Sequence, residues 1–145
     1  MKLSTRTRYG TRALIEIARN FKKGPTKRKD IAGTQDISEG YLENILSALK
    51  SKNLVSTRRG TDGGFVLEKS PSRVTVLDIV IALEGSVCPV QCLERPALCE
   101  KVSCCLSRTA WRKLYDAQIK ALSEITLQDL LDREQTETPM NDYSI

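Results

Sequence analysis

Residues 37–67 read ISEGYLENILSALKSKNLVSTRRGTDGGFVL, and this stretch decides the fold. Ser38 is a preferred helix N-cap, and the apolar residues after it recur at a spacing that places them on one helix face: Tyr41, Leu42, Ile45, Leu46 and Leu49. Asn53 suits a left-handed helix exit. Two short apolar runs, Leu54-Val55 and Phe65-Val66-Leu67, flank a basic, glycine-rich segment. The stretch therefore predicts a helix followed by a β-hairpin.

Two further helices are predicted before Ser38. Residues 5–21 carry apolar side chains at helical spacing, and Gly24-Pro25 follows them. Thr26 can cap a short second helix, and a polar turn at residues 33–36 separates it from the third. Three helices followed by a hairpin are the order of a winged helix-turn-helix, so the predicted fold is mainly α with a small β-hairpin wing.

The charge of the chain is unevenly distributed. Residues 1–73 contain 16 Lys and Arg against 7 Asp and Glu, whereas residues 74–145 contain 7 against 11. A basic half of this size attracts phosphates irrespective of base sequence, although a solvated basic surface is the simpler reading. Combined with the helix order, it favours double-stranded DNA as the partner of residues 1–73.

The exposed face of the third helix and the hairpin tip are the candidate DNA-reading surfaces. A major groove admits a helix, and Gly40 permits close backbone approach. Paired arginines among three glycines suit contacts with the phosphate backbone or a narrow minor groove. The candidate residues are Ser38, Gly40, Glu43 and Asn44 in the helix and Arg58, Arg59 and Gly60 in the wing.

The second half of the chain is divided by its cysteines. Residues 74–87 form a predicted connecting helix that starts at a capping box, Thr75 to Asp78, and Gly85 ends its helical part. Residues 88–105 form a cysteine-rich loop. Residues 106–133 are interpreted as a long C-terminal dimerisation helix and a short terminal helix, and residues 134–145 as a flexible tail.

All five cysteines lie within 18 residues, and the chain contains no histidine. Any metal site must therefore depend mainly on sulfur. The cysteine spacing matches neither paired zinc knuckles nor a Cys-x-x-Cys redox pair, but separated thiolates suit an iron–sulfur cluster. Structural zinc or buried thiols remain alternatives. Cys105 has an advantage as a ligand, since it precedes a predicted helix whose positive end favours a thiolate.

Other classes of protein are disfavoured. An enzyme is not expected, because the sequence shows no nucleophile–base pair and no nucleotide-binding glycine motif. The longest apolar stretch, residues 74–83, is shorter than the roughly 20 residues of a membrane span, and no apolar signal segment opens the chain. We therefore expect a soluble, cytoplasmic protein without a membrane partner.

Four segments together resemble a family of winged-helix transcription regulators that includes IscR, NsrR and CymR. They are residues 1–9, residues 37–44, the wing from Arg59 to Phe65, and residues 105–111. The resemblance implies that Arg59 and helix three, Tyr41 included, contact an operator. It also implies that the helix after Cys105 crosses to a second subunit and that three cysteines hold an iron–sulfur cluster, [2Fe–2S] or [4Fe–4S].

The same resemblance assigns the cluster ligands. The family usually has five residues between successive ligand cysteines, whereas here six separate Cys92 from Cys99 and five separate Cys99 from Cys105. IscR-like members place a histidine where this chain has Arg108, which cannot ligate a metal. Other members use a carboxylate near the N-terminus, at a position that carries Arg8. The fourth ligand is then Cys88 or Cys104, or an external group.

The sequence thus predicts a homodimeric DNA-binding transcription regulator. By the resemblance, it senses redox state, iron–sulfur status or nitric oxide through its cluster. CymR-like members lack the cluster, so a cluster-free thiol- or zinc-responsive regulator is the first alternative. A protein-interaction adaptor that uses the long helix without touching DNA is the second.

Overall fold

The computed structural model describes residues 2–137, and within them it is mainly helical with one two-stranded antiparallel sheet. The elements in chain order are α1 (Thr5–Arg19), α2 (Arg28–Gln35), α3 (Glu39–Ser51), β1 (Val55–Arg58), β2 (Gly64–Leu67), α4 (Val76–Glu84), α5 (Gln91–Glu94), α6 (Ser107–Ser123) and α7 (Leu127–Thr136). Short 3-10 turns lie at Pro71–Arg73 and Pro96–Leu98.

The first three helices follow the predicted order, with a correction at α2. Ser4 and Ser38 cap α1 and α3, each accepting a hydrogen bond from the backbone N–H three residues later. Thr26 does not cap α2, so that prediction is wrong. Its backbone instead exchanges hydrogen bonds with Phe65 of β2, at 2.9 and 2.8 Å. Helix α2 also continues through Gln35, into the segment predicted to be a turn.

The hairpin is longer and its tip tighter than expected. β1 continues through Arg58, which pairs with Gly64, so the loop between the strands shrinks to residues 59–63. The N–H of Gly63 donates to the carbonyl of Gly60 at 3.1 Å, closing the turn. A Cβ on Gly63 would lie 2.3 Å from the Arg58 carbonyl oxygen, which explains why glycine is needed there.

Two capping boxes position the helices of the second half. Thr75 with Asp78 starts α4, as predicted, and Thr126 with Asp129 starts α7 in the same way. The two cap threonines face each other in an antiparallel bridge. Gly85, at φ 88°, ends α4. The start of α7 is therefore fastened to the start of α4.

One hydrophobic core joins the two halves of the chain. Leu14 and Ile17 of α1 lie at its centre, with Leu46 of α3 beside them, and all three are at most 2% exposed. Ile79 of α4 and Leu127 of α7 belong to the same cluster and are fully buried. The packing thus crosses the sequence boundary drawn after residue 73.

The helix α6 packs differently from the others, because none of its residues is fully buried. Its inner side contacts α4 and α5, while Trp111 and Leu114 are 41% and 42% exposed. The predicted tail begins too early: α7 includes residues 134–136, and Glu134 pairs with Arg19 of α1. The rest of the predicted tail, residues 138–145, lies outside the described residues. None of the helices described is long and apolar enough to cross a membrane.

Candidate nucleic-acid interface and cysteine segment

The N-terminal part of α3 is exposed, which is what a DNA-reading helix requires. Ser38 lies at its start, and its Oγ accepts from the N–H of Tyr41 at 3.3 Å, fixing the first turn. Gly40 and Asn44 are exposed. A Cβ on Gly40 would meet no atom within 4 Å, so packing within the protein does not require glycine. Glycine destabilises a helix interior, and close approach by an external backbone is a use for it.

Tyr41 is only partly exposed, because its ring rests on α1. It meets the Tyr9 ring edge to face, with centroids 6.1 Å apart. The guanidinium of Arg12 lies 5.3 Å from the centroid of the Tyr9 ring and donates two hydrogen bonds to Gln35 of α2, at 2.6 and 2.9 Å. Tyr41 therefore presents its ring from a position fixed by α1 and α2.

Glu43 is ion-paired, which the sequence did not reveal. Arg28, the first residue of α2, contacts the carboxylates of both Glu39 and Glu43 on α3. The hydrogen bond that Arg28 donates to Glu43 is the main reason that the pKa of Arg28 lies above its usual value, followed by the attraction of the Glu43 charge. No spacing rule connects these residues, since they meet only when α2 folds against α3.

The two arginines of the wing are exposed. Arg58 ends β1 and Arg59 follows it, both side chains are exposed, and neither is ion-paired within residues 2–137. Gly60 adopts φ 119°, a conformation that favours glycine, and thereby turns the chain directly after Arg59. The two arginines are therefore available to an anionic partner.

The cysteine segment is partly ordered by contacts with its neighbours. Leu93 of α5 is buried, and its carbonyl accepts from Arg112 of α6 at 3.4 Å. Glu94 accepts from the Ser86 hydroxyl at 2.7 Å. All five thiols are free, four of them half-buried and Cys104 exposed. The segment is thus anchored at α5, and its five cysteines form no disulfide among residues 2–137.

Cys105 lies directly before the first turn of α6, as predicted. The Ser107 hydroxyl, 3.3 Å from the sulfur, is the main cause that lowers the pKa of this thiol, followed by the backbone N–H of Arg108. Arg108 also borders the same cavity of about 310 Å³ as Cys105, although its guanidinium cannot serve as a metal ligand. The environment of Cys105 favours its thiolate.

The predicted ligand cysteines do not converge in this conformation. Among residues 2–137, no group of three or more Cys, Asp or Glu side chains is placed so that it could hold a metal ion. The donor types fit a cluster of soft iron ions, since the segment offers thiols and no competing histidine. Their placement does not fit one without a rearrangement of residues 88–105.

Glu84 connects the end of α4 to the first helix, a contact that sequence reasoning missed. This residue ends α4, and its Oε1 accepts from the Thr7 hydroxyl at 2.5 Å and from the Ser4 N–H at 2.9 Å. These bonds, the one from Thr7 first, lower the pKa of the Glu84 carboxyl. The exit from α4 is therefore tied to the start of α1.

Comparison with known proteins identifies the family. Residues 3–133 match the model of the Rrf2 family, described as an iron-dependent transcriptional regulator. The chain belongs to the Rrf2 family. It is 38% identical over 145 residues to the protein rrf2 of Nitratidesulfovibrio vulgaris, covering all of this chain and 96% of that one.

Solved structures of two Rrf2-type regulators share the fold. CymR, the global cysteine regulator of Bacillus subtilis, superposes with a TM-score of 0.76 at 39% identity, covering 92% of this chain and 98% of CymR. IscR of T. potens superposes with the same TM-score at 32% identity, covering 95% of this chain and 92% of IscR. The predicted winged helix-turn-helix is thereby confirmed for this Rrf2 protein, and its family consists of transcription regulators rather than enzymes.

Proposed function

We propose that this Rrf2 protein is a homodimeric regulator that reads operator DNA with the start of α3 and the tip of the wing. The residues that contact DNA in this proposal are Ser38, Gly40, Tyr41, Glu43, Asn44, Arg58, Arg59 and Gly60. The observation that carries it is the exposed N-terminal part of α3, with a glycine at position 40 that no internal contact requires. The free cations of the wing support it, because phosphates and narrow grooves attract arginine.

The outer side of α6 is the proposed dimer interface, with a second copy of this chain as its partner. Its exposed apolar residues recur three or four positions apart along one face: Ala110, Leu114, Ala117 and Ala121, with Trp111 beside them. Small residues allow two helices to approach closely, and burial of Trp111 and Leu114 removes apolar surface from water. A two-fold dimer would also present two wings to paired half-sites.

Leu114→Glu is expected to convert the dimer to a monomer, since it places a charge within the apolar face. Analytical ultracentrifugation at micromolar protein gives the mass. The matched control is Ser123→Glu, which adds the same residue on the polar side of α6. If both variants had the mass of a dimer, α6 would not form the interface.

Cys92, Cys99 and Cys105 are the proposed ligands of an iron–sulfur cluster, with Cys88 or Cys104 as the fourth. The free thiols and the pKa-lowering environment of Cys105 support this part of the proposal. The description of the family model as iron-dependent supports it further. The cluster would supply a redox-active group whose presence or damage alters the cysteine segment. Glu84, at the entry to that segment, contacts the start of α1.

The cluster is tested by single Cys→Ala substitution at each of the five positions, followed by anaerobic reconstitution. Bound iron, sulfide and visible absorption are expected to be lost from the Cys92, Cys99 and Cys105 variants and kept in at least one of the other two. Adjacent side chains point in different directions, so Cys104 and Cys105 are not both essential. Retention by Cys105→Ala with loss by Cys104→Ala would shift the assignment by one residue.

The alternative is a cluster-free, thiol-responsive regulator, and one observation favours it: among residues 2–137, no group of three or more thiols is placed so that it could hold a metal ion. Elemental analysis of protein purified without oxygen separates the candidates. Iron with sulfide supports the cluster, whereas zinc supports a zinc-responsive site. A colourless, metal-free protein, or five Cys→Ala variants that all retain iron, would refute the proposed ligands.

A further inference from the structure

Arg28 bridges two carboxylates on the DNA-reading helix. Its Nε lies 3.3 Å from Oε2 of Glu39, and its terminal nitrogen contacts Oε2 of Glu43, one helical turn further along α3. The three side chains are between 42% and 49% exposed, so the bridge lies at the surface. One guanidinium from α2 therefore forms ion pairs with two acidic residues of α3.

Arg28 offsets part of the negative charge at the start of α3. Residues 38–49 contain Glu39 and Glu43 but no lysine or arginine, so this stretch carries a charge of −2 toward the phosphates. Like charges one turn apart also repel each other. Arg28 is the cation that contacts both carboxylates, and it removes half of that charge without occupying a position on α3.

The bridge also determines what Glu43 does at a wrong site. A carboxylate that enters a groove and finds no donor loses its water without compensation, which is costly. At a cytosine, the amino group donates to Glu43. At another base, the guanidinium of Arg28 remains the donor. The cost of a mismatch at this position therefore depends on Arg28.

We propose that Arg28 is a positioning residue that sets the specificity of this regulator, by holding the carboxylate of Glu43 wherever the DNA offers it no donor. The inference rests on the proposed reading role of α3. Arg28 lowers the energy of non-cognate complexes more than that of cognate ones. It thus raises general affinity and moderates discrimination.

The test uses two duplexes: one selected from a random pool by the wild-type protein, and a scrambled version of the same composition. Arg28→Ala is expected to weaken binding to the scrambled duplex about two- to fivefold more than binding to the selected duplex at fixed salt, the range of an exposed ion pair. Lys29→Ala is the matched control, because it removes a neighbouring exposed cation that has no ion pair within residues 2–137. It is expected to weaken both equally.

Glu43→Ala in the Arg28→Ala background is expected to recover affinity for the scrambled duplex, because the unpaired carboxylate is then gone. Arg28→Gln, which keeps a donor at similar length, serves if the alanine variant melts at a lower temperature. Equal losses for Arg28→Ala and Lys29→Ala, or no recovery in the double variant, would overturn the inference. A wild-type protein without preference between the duplexes would instead refute the proposed reading role.

Discussion

Leu127→Ala is expected to lower the free energy of unfolding by about 2–5 kcal/mol, the range for removing a buried leucine side chain. Leu127 is fully buried and is the first residue of α7. Its backbone N–H also donates to the carbonyl of Val74 at 2.9 Å, so the backbone at this position cannot easily move to fill the cavity left by the substitution. Chemical denaturation monitored by circular dichroism gives the change.

The matched control is Leu98→Ala, which removes the same atoms from a position outside α6 that is 61% exposed. Measured at one protein concentration, it is expected to cost less than Leu127→Ala. The Leu127 variant is also expected to bind DNA more weakly near its melting temperature, because α7 packs on α1. Equal costs for the two variants would show that α7 contributes little to the core.

Arg59→Ala is expected to weaken operator binding by roughly 1–3 kcal/mol, the range for a good arginine contact, without unfolding the protein. Arg59 is exposed, without an ion pair in the described part of the chain, and precedes the turn at Gly60. Fluorescence anisotropy with a labelled duplex at fixed salt measures the loss.

Arg73→Ala controls for the loss of one positive charge, since this arginine is also exposed but lies in the turn before α4. It is expected to change binding by less than Arg59→Ala does. If the two variants bind the operator equally well and retain the wild-type melting temperature, Arg59 makes no specific contact.

Local sequence signals predicted those elements whose start or end depends on nearby residues. The Ser38 cap, the left-handed Asn53 and the Thr75–Asp78 box each involve hydrogen bonds or backbone angles within a few residues. The predicted cap at Thr26 is absent, because the Thr26 backbone pairs with the distant Phe65 in a β-bridge. Helix α2 therefore begins one residue later, without a side-chain cap.

The candidate site was only partly predictable for the same reason. Residue types and spacing identified the exposed positions of α3, the wing arginines and the cysteine segment. The contacts of Arg28 with Glu43 and of Glu84 with Thr7 join residues far apart in sequence, and no periodicity indicates them. The family resemblance assigns three cysteines to one cluster, yet the spacing of the cysteines does not determine how residues 88–105 fold.

The hydrogen bonds between the starts of α7 and α4 affect when the chain can fold during its synthesis. The N–H of Val76 donates to the carbonyl of Ile125 at 2.8 Å, and Leu127 then fills the core beside α1. A ribosome releases α1, α3 and the wing long before residue 127. Residues 1–73 thus reach their full stability only after the cysteine segment and α6 have been synthesised. A nascent chain that ends before residue 127 lacks part of the core against which α1 packs.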